Sequence, residues 1–332
     1  MKALVTGGGG FLGLYIVEQL LAAGHDVRVL CRGRYQSLDV LNVEVIHGDL
    51  REPADCEQAC RGVEAVFHVA AVPGIWGRWE LYHSINTVGT ENLLQAARTA
   101  GVQRFIFTSS PSVVFDGGDH IDADESLPYP ANWMSHYPHS KALAEQAVLA
   151  ANVNDSFRTV SLRPHLIWGR RDNHLIPRLL QKARSGRLRR VGDGTNVVSM
   201  VNVENAAAAH LQVERSLRES ATSAGRAYFI NEKQSVRLWA WIDEILALAD
   251  LPPVRRSISY PAARRIGRVM EGLWTVLPLS GEPPMTRFVA AQLAGSHSYS
   301  IRAAERDFGF QPIVSVEQGM QKLADDIRTR LS

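Results

Sequence analysis

Hydrophobic residues form short uninterrupted runs in the first half of the chain, and amphipathic stretches separate these runs. Short continuous apolar runs predict buried strands, whereas apolar residues spaced three and four apart predict helices. The predicted strands cover residues 2–6, 26–31, 43–46, 65–71, 104–108 and 158–162, and the predicted helices between them cover residues 11–21, 52–60, 86–100 and 137–150. This alternation predicts an α/β fold, a Rossmann-type doubly wound parallel sheet that binds ligands beyond the carboxyl ends of its strands.

The pattern changes after Pro164 and becomes mostly helical. Helices are predicted at residues 175–185, 203–217, 236–249, 262–277, 285–293, 302–307 and 316–331, with one strand at residues 197–201. Ser315 and Gln318 form a capping-box pattern at the start of the last helix. We predict a dinucleotide-binding domain over residues 1–168, to which residues 198–232 return, and a smaller, mostly helical substrate-binding domain over residues 169–332.

A glycine-rich turn lies between the first strand and the first helix. Gly7, Gly10 and Gly13 are spaced for a tight turn, a close approach of backbone amides to a pyrophosphate, and close packing of helix on strand. A lone glycine fingerprint is weak evidence, but its place between a strand and a helix predicts a dinucleotide site.

The end of the second strand bears on the choice of dinucleotide. NAD enzymes of this fold place an acidic residue there, which bonds the ribose 2′-hydroxyl. The sequence has Cys31-Arg32-Gly33-Arg34 instead, so nothing repels a 2′-phosphate and Arg32 could clamp it. NADP(H) is therefore favoured. NAD(H) stays open, because both arginines could face solvent.

Tyr137 and Lys141 are four residues apart in a predicted helix and therefore share one face. A phenol has a pKa of about 10, and a nearby ammonium favours the phenolate. Such a tyrosine can protonate an alkoxide, or take a proton from an alcohol, as hydride moves. The alternative is a surface tyrosine beside a solvated lysine, but Ser109-Ser110 at the end of the fifth strand favours catalysis.

Composition bears on the partners, metal content and location that we expect for the protein. With 36 Lys and Arg against 34 Asp and Glu, the net charge is +2, which gives no reason to expect a nucleic-acid or membrane partner. Cys56 and Cys60 have no nearby Cys or His pair to complete a metal set, so no metal is expected. We expect a cytoplasmic protein, because no signal peptide precedes the first strand and no apolar run could span a bilayer.

Several motifs together resemble those of the extended short-chain dehydrogenase/reductases. They are Thr6-Gly7-Gly8-Gly9-Gly10-Phe11-Leu12-Gly13, His68-Val69-Ala70-Ala71, Asn86 with Gly89-Thr90, Thr108-Ser109-Ser110, and Tyr137 with Lys141. Three further stretches are similar to the 3β-hydroxysteroid dehydrogenase-like branch: residues 137–152, residues 163–169 and residues 281–287. Within this branch the chain looks closest to bacterial members that reduce 2-alkyl-3-oxoalkanoates in olefin biosynthesis.

The resemblance implies roles for individual residues. Tyr137 would be the general acid/base, and Lys141 would bond the nicotinamide ribose and lower the pKa of Tyr137. Ser110 would bond the substrate oxygen, with Ser109 and Ser112 as competitors. Asn86 would support the central helix, and Arg163 would lie near the carboxamide unless it is held structurally. The implied cofactor-binding residues are Gly7, Gly10, Phe11, Leu12, Gly13, Arg32, Asp49, Leu50, Ala70, Ala71, Tyr137, Lys141 and Pro164.

The resemblance also implies an NADP(H)-dependent oxidoreductase that interconverts a ketone and a secondary alcohol. The substrate would be bulky and hydrophobic, of the 2-alkyl-3-oxoalkanoate or 3β-hydroxysteroid type. The alternatives are a nucleotide-sugar epimerase or dehydratase that retains NAD, and a non-enzymatic NADP sensor. Five aromatic residues lie in or near segments expected to border the cleft, where they would either line an apolar pocket or fill the core, namely Trp76, Trp79, Tyr82, Trp133 and Trp168.

Two surfaces bear on partners other than the substrate. The predicted helix at residues 262–277 carries Arg264, Arg265 and Arg268 on one side and apolar residues elsewhere. This pattern is typical of a peripheral membrane contact, a cap over a hydrophobic substrate, or an ordinary domain surface. The resemblance also implies a homodimer through the helices at residues 86–100 and 137–150.

Overall fold

The computed structural model describes residues 1–153, 155–277 and 279–331, so positions 154, 278 and 332 lie outside the described residues. Positions 278 and 332 belong to the predicted second domain. The strands are β1 (Lys2–Thr6), β2 (Asp26–Cys31), β3 (Glu44–His47), β4 (Ala65–His68), β5 (Arg104–Thr108), β6 (His120–Ala123), β7 (Arg158–Pro164), β8 (Ile167–Trp168), β9 (Arg190–Val191), β10 (Val197–Val198), β11 (Val201–Asn202), β12 (Arg226–Ile230), β13 (Val236–Arg237), β14 (Ser257–Ile258) and β15 (His297–Tyr299). The helices are α1 (Phe11–Ala22), α2 (Gln36–Asp39), α3 (Pro53–Cys60), α4 (Trp79–Tyr82), α5 (Gly89–Thr99), α6 (His136–Ala150), α7 (Leu175–Arg184), α8 (Val203–Glu219), α9 (Leu238–Leu248), α10 (Tyr260–Val276), α11 (Arg287–Ala294), α12 (Arg302–Phe308) and α13 (Val316–Leu331).

Parallel strands form the central sheet, in the order β12-β7-β5-β4-β1-β2-β3. Helices α1 and α8 cover one face of the sheet, and α3, α5 and α6 cover the other. The predicted doubly wound fold is therefore confirmed. The chain runs from β1 to β3 on one side and then crosses back to β4 on the other, so β1 and β4 border the switch point where such sheets bind ligands.

Several short strands and helices were not predicted, and three differences affect the sheet or its neighbours. The sequence pattern does not predict β12, which pairs with β7 along its length and adds a strand to the sheet. The predicted strand at residues 197–201 is two short strands, because Val198 pairs with His297 whereas Val201 pairs with Ile167. The predicted helix at residues 86–100 begins at Gly89, after a π-helical turn at His83–Val88. The division into domains at residue 168 stays a prediction.

Helices α7, α9 and α13 pack around a second apolar cluster beside the sheet. Trp168 is fully buried there, with its ring 6.1 Å from that of Trp241, so it fills the core while its neighbour Ile167 borders the cleft. The predicted capping box forms: Ser315 Oγ accepts from the Gln318 amide at 3.2 Å, and Gln318 Oε1 accepts from the Ser315 amide at 3.0 Å. Among the described helices, none is long and apolar enough to cross a membrane.

Candidate active site

The turn after β1 has the shape that a bound pyrophosphate requires. Gly7 has a φ of +68°, and a Cβ added at Gly7 would lie 2.9 Å from Ala70 Cα. A Cβ at Gly13 would overlap the Gly7 carbonyl, so only glycine allows α1 to pack this closely. Helix α1 begins after Gly10 with no side-chain cap and no acidic residue in its first turn. Its first amides therefore lack an intrahelical acceptor and fit the phosphates of a dinucleotide.

A buried hydrogen-bond chain holds β4 beside this turn. Thr6 Oγ1 accepts from the Ala70 amide at 3.1 Å and bonds His68 Nδ1 at 2.7 Å. His68 Nε2 bonds Thr90 Oγ1 at 2.8 Å, which ties α5 to the same chain. Burial, with a contribution from Lys141, holds the pKa of His68 well below its ordinary value. A neutral His68 therefore fixes Ala70 next to the glycine turn.

A cavity of about 480 Å³ runs from this turn along the carboxyl ends of the strands. The predicted catalytic and cofactor-binding residues all border it. They are Gly7, Gly10, Phe11, Leu12, Gly13, Arg32, Asp49, Leu50, Ala70, Ala71, Ser110, Tyr137, Lys141 and Pro164. The fold thus brings residues from seven separate stretches of sequence to one site.

The end of β2 presents one arginine to this cavity. Arg32 borders the cavity, whereas Arg34 is exposed and does not belong to its lining. Asp49 binds Arg51 at 2.6 Å, and Arg51, with a smaller contribution from Arg32, holds the pKa of Asp49 below its usual range. Sequence reasoning missed Tyr35, whose ring covers Gly9 so closely that a Cβ there would overlap it. A tyrosine just beyond a strand carries no pattern that would reveal this position.

Tyr137 lies in the first turn of α6, close to Ser110 at the end of β5. Burial raises the pKa of Tyr137 to about 12, and a hydrogen bond with the Ser110 side chain opposes this rise. Ser110 Oγ also bonds Ser112 Oγ at 2.9 Å, whereas Ser109 is buried. Of the three serines, Ser110 is therefore the one whose hydroxyl meets the phenol.

Lys141 lies one helical turn after Tyr137 and is only 2% exposed. Its Nζ donates to the Thr108 carbonyl at 2.6 Å and lies 3.9 Å from the centre of the Phe107 ring. Burial lowers the pKa of Lys141 to about 7, against an opposing effect of Glu145. The resemblance implied that Lys141 lowers the pKa of Tyr137, but the pKa of Tyr137 is raised. Burial is the largest effect on the pKa values of both Tyr137 and Lys141.

Arg163 is held structurally, which was one of the two expectations for it. Its Nη2 donates to Glu145 Oε1 at 2.6 Å, and both side chains are buried. Ser161 Oγ and Tyr129 Oη also donate to the Glu145 carboxylate, at 2.7 and 2.8 Å. Arg163 therefore holds α6 to the sheet through Glu145, while its neighbour Pro164 borders the cavity.

The remaining aromatic residues predicted at the cleft pack beside it instead of forming its wall. The Trp133 ring stacks on His139 at 5.1 Å, and Trp79 contacts the same imidazole at 4.7 Å. Tyr82 Oη donates to the Trp76 carbonyl at 3.0 Å. Of the described residues, the apolar side chains in the wall are mostly aliphatic, including Val69, Val72, Ile85, Ile167 and Leu175, together with the rings of Phe11 and Tyr35.

The fold and this site together define an NAD(P)-dependent oxidoreductase that acts on ketone and alcohol groups. A family model described as the 3-beta hydroxysteroid dehydrogenase/isomerase family matches residues 4–258, and the chain belongs to this family.

Sequence similarity to its relatives extends over nearly the whole chain. The chain is 45% identical to a 2-alkyl-3-oxoalkanoate reductase of Stenotrophomonas maltophilia (strain K279a), covering 97% of this chain and 98% of that one. It is 35% identical to the mouse (Mus musculus) sterol-4-alpha-carboxylate 3-dehydrogenase, decarboxylating, covering 97% and 89%. The crystal structure of gox2253 superposes with a TM-score of 0.79 at 25% identity, covering 99% and 98%. These relatives confirm the predicted resemblance and the predicted class of enzyme.

Proposed function

We propose that this enzyme reduces the ketone of a 3-oxo acid that carries a long alkyl branch at carbon 2, with NADPH as its preferred hydride donor. The observation that carries the proposal is the placement of Tyr137 and Ser110 together in a cavity with a mostly aliphatic wall. The relative named 2-alkyl-3-oxoalkanoate reductase supports the same substrate class, because nearly all of both chains align.

The protonation state of Tyr137 favours reduction. When bound in the cavity, NADPH supplies a hydride to the ketone carbon. A phenol with its pKa raised to about 12 holds its proton at neutral pH, so Tyr137 is ready to act as an acid. The Ser110 hydroxyl donates to the ketone oxygen, and Tyr137 delivers its proton as negative charge develops there.

Lys141 stabilises the phenolate that this proton transfer leaves. Its ammonium lies one turn further along α6 and is fixed by the Thr108 carbonyl. An ammonium near a phenolate favours the ionised form, so Lys141 offsets the effect of burial at the moment when Tyr137 gives up its proton. Its remaining donors are free to bond the nicotinamide ribose.

The preference for NADPH rests on the end of β2. Arg32 borders the cavity there, and Cys31 occupies the place where NAD enzymes of this fold carry an acid. A guanidinium can bond a 2′-phosphate through two parallel N–H groups. The nucleotide-sugar alternative requires retained NAD, and the missing acid at position 31 argues against it.

The test is cofactor oxidation by the purified enzyme against a substrate panel. We expect NADPH oxidation with 2-alkyl-3-oxo acids, slower oxidation with NADH, and little turnover of 3-ketosteroids. Turnover of a UDP-sugar without added cofactor would contradict the proposal, and so would a preference for steroids.

A further inference from the structure

Large apolar side chains are exposed along one segment at the end of α10 and just beyond it. Val269 is 59% exposed and Val276 is 81% exposed. Four other residues of this segment are also exposed, namely Ile266, Leu273, Leu277 and Leu279. In the helical part these positions are three and four apart, so they form one stripe. We call this stripe the α10 surface.

The opposite side of α10 holds the helix to the protein. Its buried residues are Ala263, Gly267 and Glu271, at intervals of one helical turn. A Cβ added at Gly267 would lie 2.6 Å from the Thr286 carbonyl carbon, so the helix rests directly on the start of α11. This close packing fixes the orientation of α10, so that the α10 surface faces away from the core.

The exposed charges on α10 itself are all positive. Arg264, Arg265 and Arg268 are exposed, and no carboxylate in the described part of the chain forms an ion pair with them. The single acidic residue of α10, Glu271, is buried and bound to Arg287 at 2.6 Å. The exposed side of the helix therefore combines an apolar stripe with three unneutralised cations.

We propose that the α10 surface docks the enzyme onto a lipid bilayer that carries anionic headgroups. The apolar stripe would enter the boundary of the acyl chains, while the arginines would lie at the level of the phosphates. A second copy of this chain is a poorer occupant, because a symmetric contact would bring the arginines of both copies together.

The segment that follows the α10 surface contacts a loop beside the active-site cleft. A few residues beyond Leu279, Glu282 Oε1 accepts from the Ile75 amide at 3.3 Å, in the loop that leads from the cavity wall. Docking would therefore place the cleft close to the membrane, where a substrate with long alkyl chains resides. This consequence rests on the proposed function, whereas lipid binding itself does not.

The experiment is co-sedimentation of the full chain with vesicles of equal parts phosphatidylglycerol and phosphatidylcholine. We expect the wild type to sediment with these vesicles and to be released by salt. The double variant Val269→Glu, Val276→Glu should bind at least about tenfold more weakly, because it places charge in the apolar stripe. Replacing Arg264, Arg265 and Arg268 by Gln should weaken binding about fivefold per arginine.

The control is Ile121→Glu, which makes the same kind of change at a site that is 75% exposed elsewhere on the molecule. All variants should retain wild-type NADPH oxidation with a short, water-soluble 2-alkyl-3-oxo acid, which shows that they fold. Failure of the wild type to bind, or equal binding by the double variant, would overturn the proposal. So would a dimer in sedimentation velocity that the double variant converts to a monomer. Lipid binding without turnover would count against the proposed function only.

Discussion

At the scale of single residues, burial of the charged Lys141 side chain is unfavourable for stability. Lys141 is a fully buried lysine whose pKa burial lowers to about 7 from the ordinary value of 10.5. The unfolded chain therefore binds more protons than the folded chain between these two values. The burial of Lys141 therefore lowers the free energy of unfolding by its full amount below about pH 7. This loss decreases as the pH rises towards 10.5.

We expect Lys141→Met to abolish turnover and yet raise the unfolding temperature. Methionine fills the same space without a charge to desolvate. The gain should be largest near pH 6 and should vanish near pH 10, as thermal unfolding across this range would show. A lower unfolding temperature for the variant at pH 6 would mean that the bond to the Thr108 carbonyl outweighs desolvation.

Arg32 carries the prediction about the cofactor. Replacing it by Gln should raise the KM for NADPH by roughly tenfold to a hundredfold, since a charge-assisted bond contributes about 1.5–3 kcal/mol. The KM for NADH should stay within a factor of about two. Arg34→Gln is the matched control, because Arg34 is exposed outside the cavity. An equal rise in the KM values for NADPH and NADH would show that Arg32 is not the source of cofactor selectivity.

At the scale of elements, the packing of α1 on the glycine turn determines whether the phosphate site exists. Gly13→Ala should destabilise the fold by roughly 1–3 kcal/mol and prevent cofactor binding, because its methyl group overlaps the Gly7 carbonyl. Gly272→Ala is the control: a Cβ there meets nothing within 4 Å, so we expect about 0.5–1 kcal/mol of added stability. Denaturant unfolding and fluorescence titration with NADPH measure both effects. Wild-type stability and NADPH affinity in the Gly13→Ala variant would contradict this prediction, because they would show that the turn can shift to make room for the methyl group.

The predicted elements agree best with the structure where periodicity and boundaries coincide. Strand β2 begins and ends as predicted, because polar residues flank an apolar run that is buried on both faces. Helix α5 begins later than predicted, because Asn86 exchanges hydrogen bonds with the backbone of Val72 in a π-helical turn. Strand β12 escapes prediction, because its place in the sheet depends on pairing with a strand some sixty residues away.

At the scale of the whole molecule, contacts across the cleft link its two sides. Arg178 in α7 donates to Glu282 Oε2 at 2.6 Å, while Glu282 Oε1 accepts from the Ile75 amide. The sequence marked residues 281–287 only as a motif of the branch. It gave no sign that Glu282 joins α7 to the loop after β4, because such a contact depends on the tertiary arrangement.

Glu282→Gln should loosen this link and raise the KM of the substrate about twofold to fivefold with little change in kcat, as expected for a partly exposed ion pair. Steady-state kinetics with a 2-alkyl-3-oxo acid measures both constants. Glu80→Gln is a suitable control, since Glu80 forms an exposed ion pair with Arg78 nearby, at 3.5 Å. An equal change in both variants would show that the effect is not specific to the link.

The site was more predictable than its surroundings. The predicted catalytic and cofactor-binding residues, from Gly7 to Pro164, all border one cavity, because most of them follow the carboxyl ends of parallel strands. The sequence left open whether the aromatic side chains near the cleft line it, and in the structure Trp79 and Trp133 pack on His139 instead. The predicted homodimer through α5 and α6 stays a prediction.

The most direct test of the account is the rate of NADPH oxidation by Tyr137→Phe with a 2-alkyl-3-oxo acid, measured beside the affinity of the same variant for NADPH. We expect a loss of roughly 10²–10⁴-fold in kcat, the usual contribution of a positioned general acid, with the affinity for NADPH nearly unchanged. A variant that retains wild-type turnover would contradict the assignment of Tyr137 as the proton donor.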